Sequence, residues 1–313
     1  GGHAEYSFRI AAVSGRAFRV DRETCSVFNR DAERVARFAV RKGELREWTL
    51  SSPSPPLAHD RLFLVAASGF PHFRPVFDTL TRMTFHNLNP EVMKYPQRPE
   101  PGERLAHDGH NLASVVKRLQ GESPKSLARV VDYLNALGVP LTRIVHKHAG
   151  TLETIEVAQD VQAPEGPKNL TFDAASLSDG TVRALGILVS LVSGYHASLT
   201  SETAMRGPTL VGIEEPETAL HPAAVGALVD ALIEGTSSTQ TVLTCHSPDM
   251  LDHDHIEPDM IRVVMLDDDR TVVGRLSPAK SDLMKDHLTT AGELLRLDQL
   301  TLSPDEIRKQ KEA

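Results

Sequence analysis

Residues 212–222 read GIEEPETALHP and follow the apolar run TLV. The pattern places Glu214 and Glu215 at the end of a buried strand. Burying an unpaired charge is costly, so two adjacent carboxylates there call for a cation or a chemical task. At the edge of a parallel sheet they face the crevice beyond the strands' carboxyl ends, where ligands bind. Successive strand residues point different ways, so the pair can divide its work. Glu214 is the candidate to hold Mg²⁺, through water, and Glu215 to polarise a water for in-line attack on a γ-phosphate. A charged strand end before a proline turn accounts for the two acids alone. The apolar strand before them and the PET.LHP after them favour the chemical reading.

Two further stretches bear on the same chemistry. SLSDGTVRALG (176–186) opens a helix with small and polar residues. Ser178 offers a hydroxyl, Gly180 permits close approach, and a helix N-terminus favours anions. An ordinary N-cap, Ser178 with Asp179 in the first turn, is the competing explanation. QTVLTCHSPDML (240–251) is a strand ending at His246, with Ser247 capping a short helix. A histidine there can hydrogen-bond a transferred phosphate or position the attacking water, or be merely a polar strand end. The order of the three stretches favours a joint role: anion-facing helix start, acid pair, histidine.

Together, LSDGT, LVGIEEPETALHP and VLTCHSPDML resemble the ABC-type ATPase heads of the SMC, RecF and OLD group. They look most like the compact bacterial AAA-type ATPases whose coiled coil is replaced by a small helical insert. The motifs span 176–251, and the likeness extends more weakly to DGHNLASVVKRL and AGELLRL. The resemblance implies an α/β P-loop NTPase fold of ABC type, with a mixed sheet and a β-rich N-lobe. By it, Leu177, Ser178, Asp179, Gly180 and Thr181 form the signature that grips the γ-phosphate of ATP held mainly by a partner subunit. Ser178 and Gly180 are its contact positions. Glu214 matches the Walker B acid and Glu215 the catalytic glutamate. Thr218, Ala219, Leu220 and His221 form the D-loop at a dimer interface, and His246 is the switch histidine. ATP and Mg²⁺ are the implied ligands, and a head-to-tail homodimer the implied assembly. The implied setting is DNA repair, chromosome handling or phage defence, with a nuclease partner and DNA.

Two departures stand out. Asp179 replaces the glycine of transporter signatures, which fits the non-transporter branch. Nothing in the 313 residues reads G-x-x-x-x-G-K-[ST]; SGRAFRV and SGYHASL lack the Gly-Lys-Ser/Thr end that cradles phosphates. The family carries that loop near its N-terminus, and this chain opens on GGHAEYSFRIAAV without a methionine. The expectation is that truncation removed the loop and that these residues alone bind ATP poorly. Gln97 is the candidate for the family's lobe-linking glutamine.

The elements that must position these residues follow from periodicity. AFRVDRETCSVFN and VARFAVRKGELREWTL alternate as strands, with Lys42-Gly43 as a hairpin turn. SSPSPP is a loop, RLFLVAAS (61–68) a strand, PHFRPVFDTLTR a helix and MTFHNL a strand. Residues 89–105, with four prolines and a glycine, read as an excursion between lobes. DGHNLASVVKRLQ and SPKSLARVVDYLNALG have helical spacing, the second with Ser123 as N-cap and Gly138 as stop. LTRIVHKHAG and TLETIEVAQDV return to strand. Helix 179–194, strand 208–213, helix 222–235, strand 240–245, a short helix after Ser247, and strands near 260–266 and 271–276 follow. Alternating strands and helices imply a partly parallel sheet covered on both faces. The divisions are 1–97 as a β-rich N-lobe remnant, 98–175 as helical insert and returning strands, and 176–313 as C-lobe.

A net charge of −8 argues against a uniformly basic nucleic-acid coat. The basic stretch 30–47 reads as a solvated strand pair. Two cysteines, Cys25 and a buried Cys245, form neither disulfide framework nor zinc pattern, which fits a reducing cytoplasm. TVRALGILVSLVSG contains Arg183 and is too short to span a bilayer, so no membrane partner is expected. Three other readings stay open. One is a non-catalytic ATP-head scaffold or regulator lacking Walker A. A second is a metal hydrolase using HDGH (107–110), HKH (146–148) and HDH (253–255), although solvated loops account for those histidines. The third is a transporter ATPase, against which His221 stands where the transporter D-loop has Asp.

Overall fold

The computed structural model describes residues 2–13, 17–58, 60–193, 208–236 and 239–312. The chain divides into two compact units, Gly1–Met83 and Thr84–Ala313.

In the smaller unit, β1 (His3–Val13), β2 (Ala17–Phe28), β3 (Arg34–Arg41) and β4 (Glu44–Trp48) form an antiparallel meander in that order. Lys42 and Gly43 both have positive φ, and Arg41 pairs with Glu44, as a two-residue hairpin with mirror-image turn requires. Phe38, fully buried, meets Phe63 and Phe73 edge-on at 5.0 and 5.2 Å, with Trp48 packed on both. Burial pushes the Cys25 thiol in this core up to about 12.

The strand expected over 61–68 is instead α1 (Phe63–Ala67), followed by α2 (Arg74–Thr81). The reason is tertiary. The Glu23 carboxylate accepts from the first amides of α1, Phe63 N at 2.5 Å and Leu64 N at 2.8 Å, and from the Tyr6 hydroxyl. A carboxylate from β2 thus caps a helix whose own residues favour a strand. Burial still raises the Glu23 pKa, against the pull of those hydrogen bonds.

The larger unit takes up the chain within β5 (Met83–His86). The excursion predicted over 89–105 contains a helix, α3 (Pro90–Lys94), with the Asn89 side chain accepting from Glu91 N at 3.0 Å. Proline at the first helical position costs nothing, which is why a proline-rich stretch can still form a helical turn. Then come α4 (Leu112–Glu122), α5 (Pro124–Ala136) and the antiparallel sheet β6 (Arg143–Ala149), β7 (Leu152–Ala163), β8 (Gly166–Asp173). Ser123 stands at the N-cap of α5, but its hydroxyl bonds Ser126 Oγ at 3.0 Å rather than the backbone. Gly138, with φ +83°, follows the helix as expected.

Next are α6 (Asp179–Val192), β9 (Leu210–Glu214), α7 (Pro222–Gly235), β10 (Gln240–Thr244) and α8 (Pro248–Leu251). Apolar almost all round, α6 is interior: every residue from Val182 to Leu191 is buried. Ser193 caps its end, and Gly194, once expected in the helix, lies outside the described residues. β9 and β10 pair in parallel from Leu210–Gln240 to Glu214–Thr244, and β5 lies on the other side of β9. Val211 and Ile213 face the core, while on the other face Phe85 and Val242 are exposed. Among the described residues, then, this sheet is covered on one face and not on both as expected. Gly212 lies between them: a Cβ there would meet Phe85 Cδ1 at 2.3 Å, so the Phe85 ring lies where a side chain would stand.

The chain ends with a hairpin, β11 (Arg262–Asp267) and β12 (Arg270–Arg275), then α9 (Pro278–Lys285), α10 (Ala291–Arg296) and α11 (Pro304–Glu312). Asp252, after α8, ties α10 down: it accepts from Thr290 Oγ1, and from Arg296 Nη1 at 2.6 Å. Burial opposes ionisation of Asp252, but the bonds from Thr290 and Arg296 outweigh it and hold the carboxyl below the usual aspartate range. The stabilisation is complete above the unfolded value of about 3.9 and is lost as pH falls through the lower folded value. Asp252→Asn should lower the Tm at neutral pH by a few degrees, on the order expected for about 1 kcal/mol. The deficit should narrow below about pH 4; a deficit independent of pH would remove the ionic part of this account.

Both cysteines are free, and Cys245 is part-buried rather than buried. No described helix is long and apolar enough to cross a membrane.

Candidate functional site

The acid pair emerges from the carboxyl end of β9, beside the end of β10. Both carboxylates are exposed, so the expected burial of the pair is corrected: only the strand behind them is interior. Glu214 Oε2 accepts from Asn87 Nδ2 at 2.8 Å. Glu215 departs from the strand into the left-handed region, φ +43°, with its amide bonded to Thr244 O at 3.0 Å. That conformation costs a non-glycine residue on the order of 1–2 kcal/mol, and strain of this kind gathers at functional sites. The Glu215 carboxylate accepts from Thr218 Oγ1 at 3.2 Å.

His246 leaves the end of β10, also exposed. Its amide and that of Ser247 donate to Glu217 Oε1, at 3.0 and 3.2 Å. Glu217, in the turn after the acid pair, thus fixes the backbone that presents the histidine. Burial raises the pKa of the neighbouring Cys245 thiol to about 12.

At the start of α6, Ser178 is the N-cap, its Oγ accepting from Thr181 N at 3.1 Å and lying 2.8 Å from Thr181 Oγ1. Leu177 is part-buried beneath this turn, and Asp179 is exposed and ion-paired with Lys94 from α3. Gly180 is buried, and the close approach it permits is to backbone. A Cβ there would meet the Ala219 carbonyl oxygen at 2.2 Å. Ala219 itself has φ +66°, and Leu220 packs beside it. His221 ends the turn as N-cap of α7, with Nδ1 accepting from Ala223 N at 3.2 Å. The helix start at 177–181 and the turn at 218–221 are therefore one packed unit.

Helix propensity alone makes Gly180→Ala stabilising by up to ~1 kcal/mol. The 2.2 Å approach reverses the sign, because backbone must move. We expect a loss of about 1–3 kcal/mol by urea unfolding; a stabilised variant would contradict the packing.

Several residues at the site have no motif to announce them. Arg183, buried in α6, donates Nη1 to Leu88 O at 2.8 Å and Nη2 to Glu214 O at 2.9 Å and Glu215 O at 3.4 Å. A lone arginine in an apolar helix was the available signal, since a buried guanidinium demands acceptors. Asn87, Lys94, Glu217 and Thr244 gave none. Gln97 is buried, its side chain bonding Val92 O, Met93 O and Ala113 N, so its amide is spent on the ends of α3 and α4.

Of the histidine clusters, 107–110 and 253–255 lie in turns as expected, and only 146–148 stands on a strand instead. His146 and His148 stand on β6 beside Glu153 of β7, and His253 and His255 lie beside Asp230 of α7. His110 bonds Asp108 at 2.6 Å, which lifts its pKa and lowers that of Asp108 against burial.

The site so assembled has an exposed acid pair and a histidine at the ends of adjacent parallel strands, beside a capped helix start packed on a strained turn. Residues 105–252 match the family described as "AAA domain, putative AbiEii toxin, Type IV TA system". That stretch, just short of half the chain, is similar to AAA domains. The matched stretch holds 177–181, 214–221 and His246, whereas Asn87 and Lys94 precede it. The chain is 29% identical over 162 residues to Old nuclease of Escherichia phage P2, a match covering 50% of the chain and 26% of that protein. It thus spans about a quarter of that relative's length. Among solved structures it is similar to the SMC head domain of Thermotoga maritima, with 9% identity and a TM-score of 0.36 over 88% of this chain and 74% of that one. It is also similar to the Smc head bound to the C-terminal domain of ScpA from Pyrococcus furiosus, with 12% identity and a TM-score of 0.41 over 86% and 80%. Likeness at that level carries no functional weight.

Proposed function

We propose that the protein containing these residues binds and hydrolyses Mg-ATP, and that two copies associate head to tail so that each 177–181 turn completes the other's site. One observation carries the reading: Glu214, Glu215 and His246 leave the carboxyl ends of adjacent parallel strands, exposed and held by their backbones. Glu214 fits a Mg²⁺ role, as an accessible carboxylate with one oxygen oriented by Asn87. Mg²⁺, when bound, draws charge from the phosphate oxygens. Glu215 accepts the proton of the attacking water, its carboxylate aimed by Thr218 Oγ1. His246 donates toward the γ-phosphate, and the amides opening α6 offer an anion site to the partner's nucleotide. Thr218 to His221 face the partner. Likeness to Old nuclease supports a role coupled to a nuclease, and DNA repair, chromosome handling or phage defence is the setting we propose for it.

A mixing experiment on the natural polypeptide tests the shared site. Glu215→Gln and Ser178→Arg proteins should each lack turnover, and mixing them should restore part of it. A mixed pair contains one site with both an intact Glu215 and an intact Ser178. Failure of two inactive variants to complement would reject the head-to-tail arrangement.

A further inference from the structure

A second group of chemistry-bearing side chains lies away from the acid pair. Asp230 sits on the exposed face of α7, and His253 and His255 on the turn after α8. His253 Nε2 is 3.3 Å and His255 Nδ1 3.6 Å from Asp230 Oδ1, and all three ligand atoms lie within 4.8 Å of one another. We propose that Asp230, His253 and His255 hold a transition-metal dication, Zn²⁺ by preference, that clips the turn after α8 to α7.

The spacing carries the argument. Around Zn²⁺ with ligand bonds of about 2.0–2.1 Å, tetrahedral neighbours stand about 3.3–3.4 Å apart. Two of the three edges are already close to that, and the third closes by rotation of His255, whose side chain is 66% exposed. Two imidazoles and a carboxylate are a donor set for Zn²⁺, Cu²⁺ or Ni²⁺ rather than Mg²⁺. The scaffold favours it too: the His253 ring edge lies across Gly226, one turn before Asp230, within 3.8 Å of where a Cβ would stand. Binding at Nε2 puts the proton of His253 on Nδ1, which gives up only a long 3.4 Å contact from the His255 amide. The fourth position is open to water.

The other cluster, His146, His148 and Glu153, is a weaker candidate although Glu153 is fully buried. Lys117 Nζ already sits 2.5 Å from Glu153 Oε1, and Ser114 Oγ donates to Oε2 at 2.8 Å. An ammonium therefore holds the place a metal would take, whereas the ion-pair partners of Asp230 among the described residues are the two imidazoles. The site stands independently of the ATPase reading, though His221 caps α7 and only Ser247 separates His246 from α8.

Calorimetric titration of the metal-free 313-residue chain with ZnCl₂ tests it. One equivalent should bind, and Zn²⁺ should raise the thermal unfolding midpoint. Asp230→Asn and His255→Gln should each weaken binding at least about tenfold and abolish the thermal shift. His255→Cys, which keeps a zinc ligand, and His148→Ala should retain both. Because His255 is exposed, its variants fold, and their unfolding curves without zinc should match wild type. No binding by wild type, binding indifferent to Asp230→Asn and His255→Gln, or binding lost in His148→Ala overturns the proposal.

Discussion

Glu215→Gln, made in the natural polypeptide, is expected to lower the ATP turnover number by about 10²–10⁴-fold while leaving nucleotide-dependent association intact. The substitution keeps the shape of the side chain and an oxygen to accept from Thr218 Oγ1, now at 3.2 Å. What it removes is a group that can take the proton of the attacking water. The backbone of Glu215 is held independently of its side chain, by Thr244 O and Arg183, so the left-handed turn should persist. Binding and chemistry therefore separate. Sedimentation with ATP should show association at least as persistent as in wild type, and phosphate release should be nearly lost. Turnover at the normal rate would remove Glu215 from the base role. Loss of association together with turnover would make it a structural residue of the turn instead.

Arg183→Ala should be the most destabilising single change near the site, by about 3 kcal/mol. A hydrogen bond to a charged group contributes roughly 1.5–3 kcal/mol, and a carbonyl left unpaired costs about 1–3 kcal/mol. The guanidinium serves carbonyls on both sides, Leu88 before α3 and Glu214 and Glu215 beyond β9. Removing it also opens a cavity among side chains of α6, where every neighbour in sequence is buried. The cost of burying the charge offsets part of this, which is why the estimate stays below the sum. Arg183→Lys should recover only a fraction, because an ammonium lacks the planar fork that spans acceptors on different elements. Urea unfolding reads the effect. In a variant that still folds, turnover should fall more than nucleotide affinity, since the Glu215 backbone loses its anchor. Full stability in Arg183→Ala would mean that the carbonyls find other partners.

Much of the site is legible in local patterns because its parts are local. An apolar strand, two acids and a proline turn must end a buried strand, and Ser178 is a cap whose chemistry reads directly from residue type. Lys42-Gly43 and Gly138 announce their turns for the same reason. The errors fall where a distant residue decides. RLFLVAAS has the composition of a strand, and a helix forms there because Glu23, forty residues earlier, caps it. The helix α3 inside a proline-rich stretch depends on Asn89 at its start and on Gln97 after it.

The sequence by itself placed the candidate residues: which carboxylates and which histidine end parallel strands, and which helix begins with a serine cap. Those follow from periodicity and capping, which act over a few residues. Only the tertiary structure decided that the acids stand exposed, that Gly180 makes room for the Ala219 carbonyl, and that Arg183 locks the backbone of both glutamates. It alone set Asp230 beside His253 and His255, more than twenty residues away. Hydrogen bonds and ligand geometry of this kind depend on ångström-scale placement of distant segments, which no local pattern encodes.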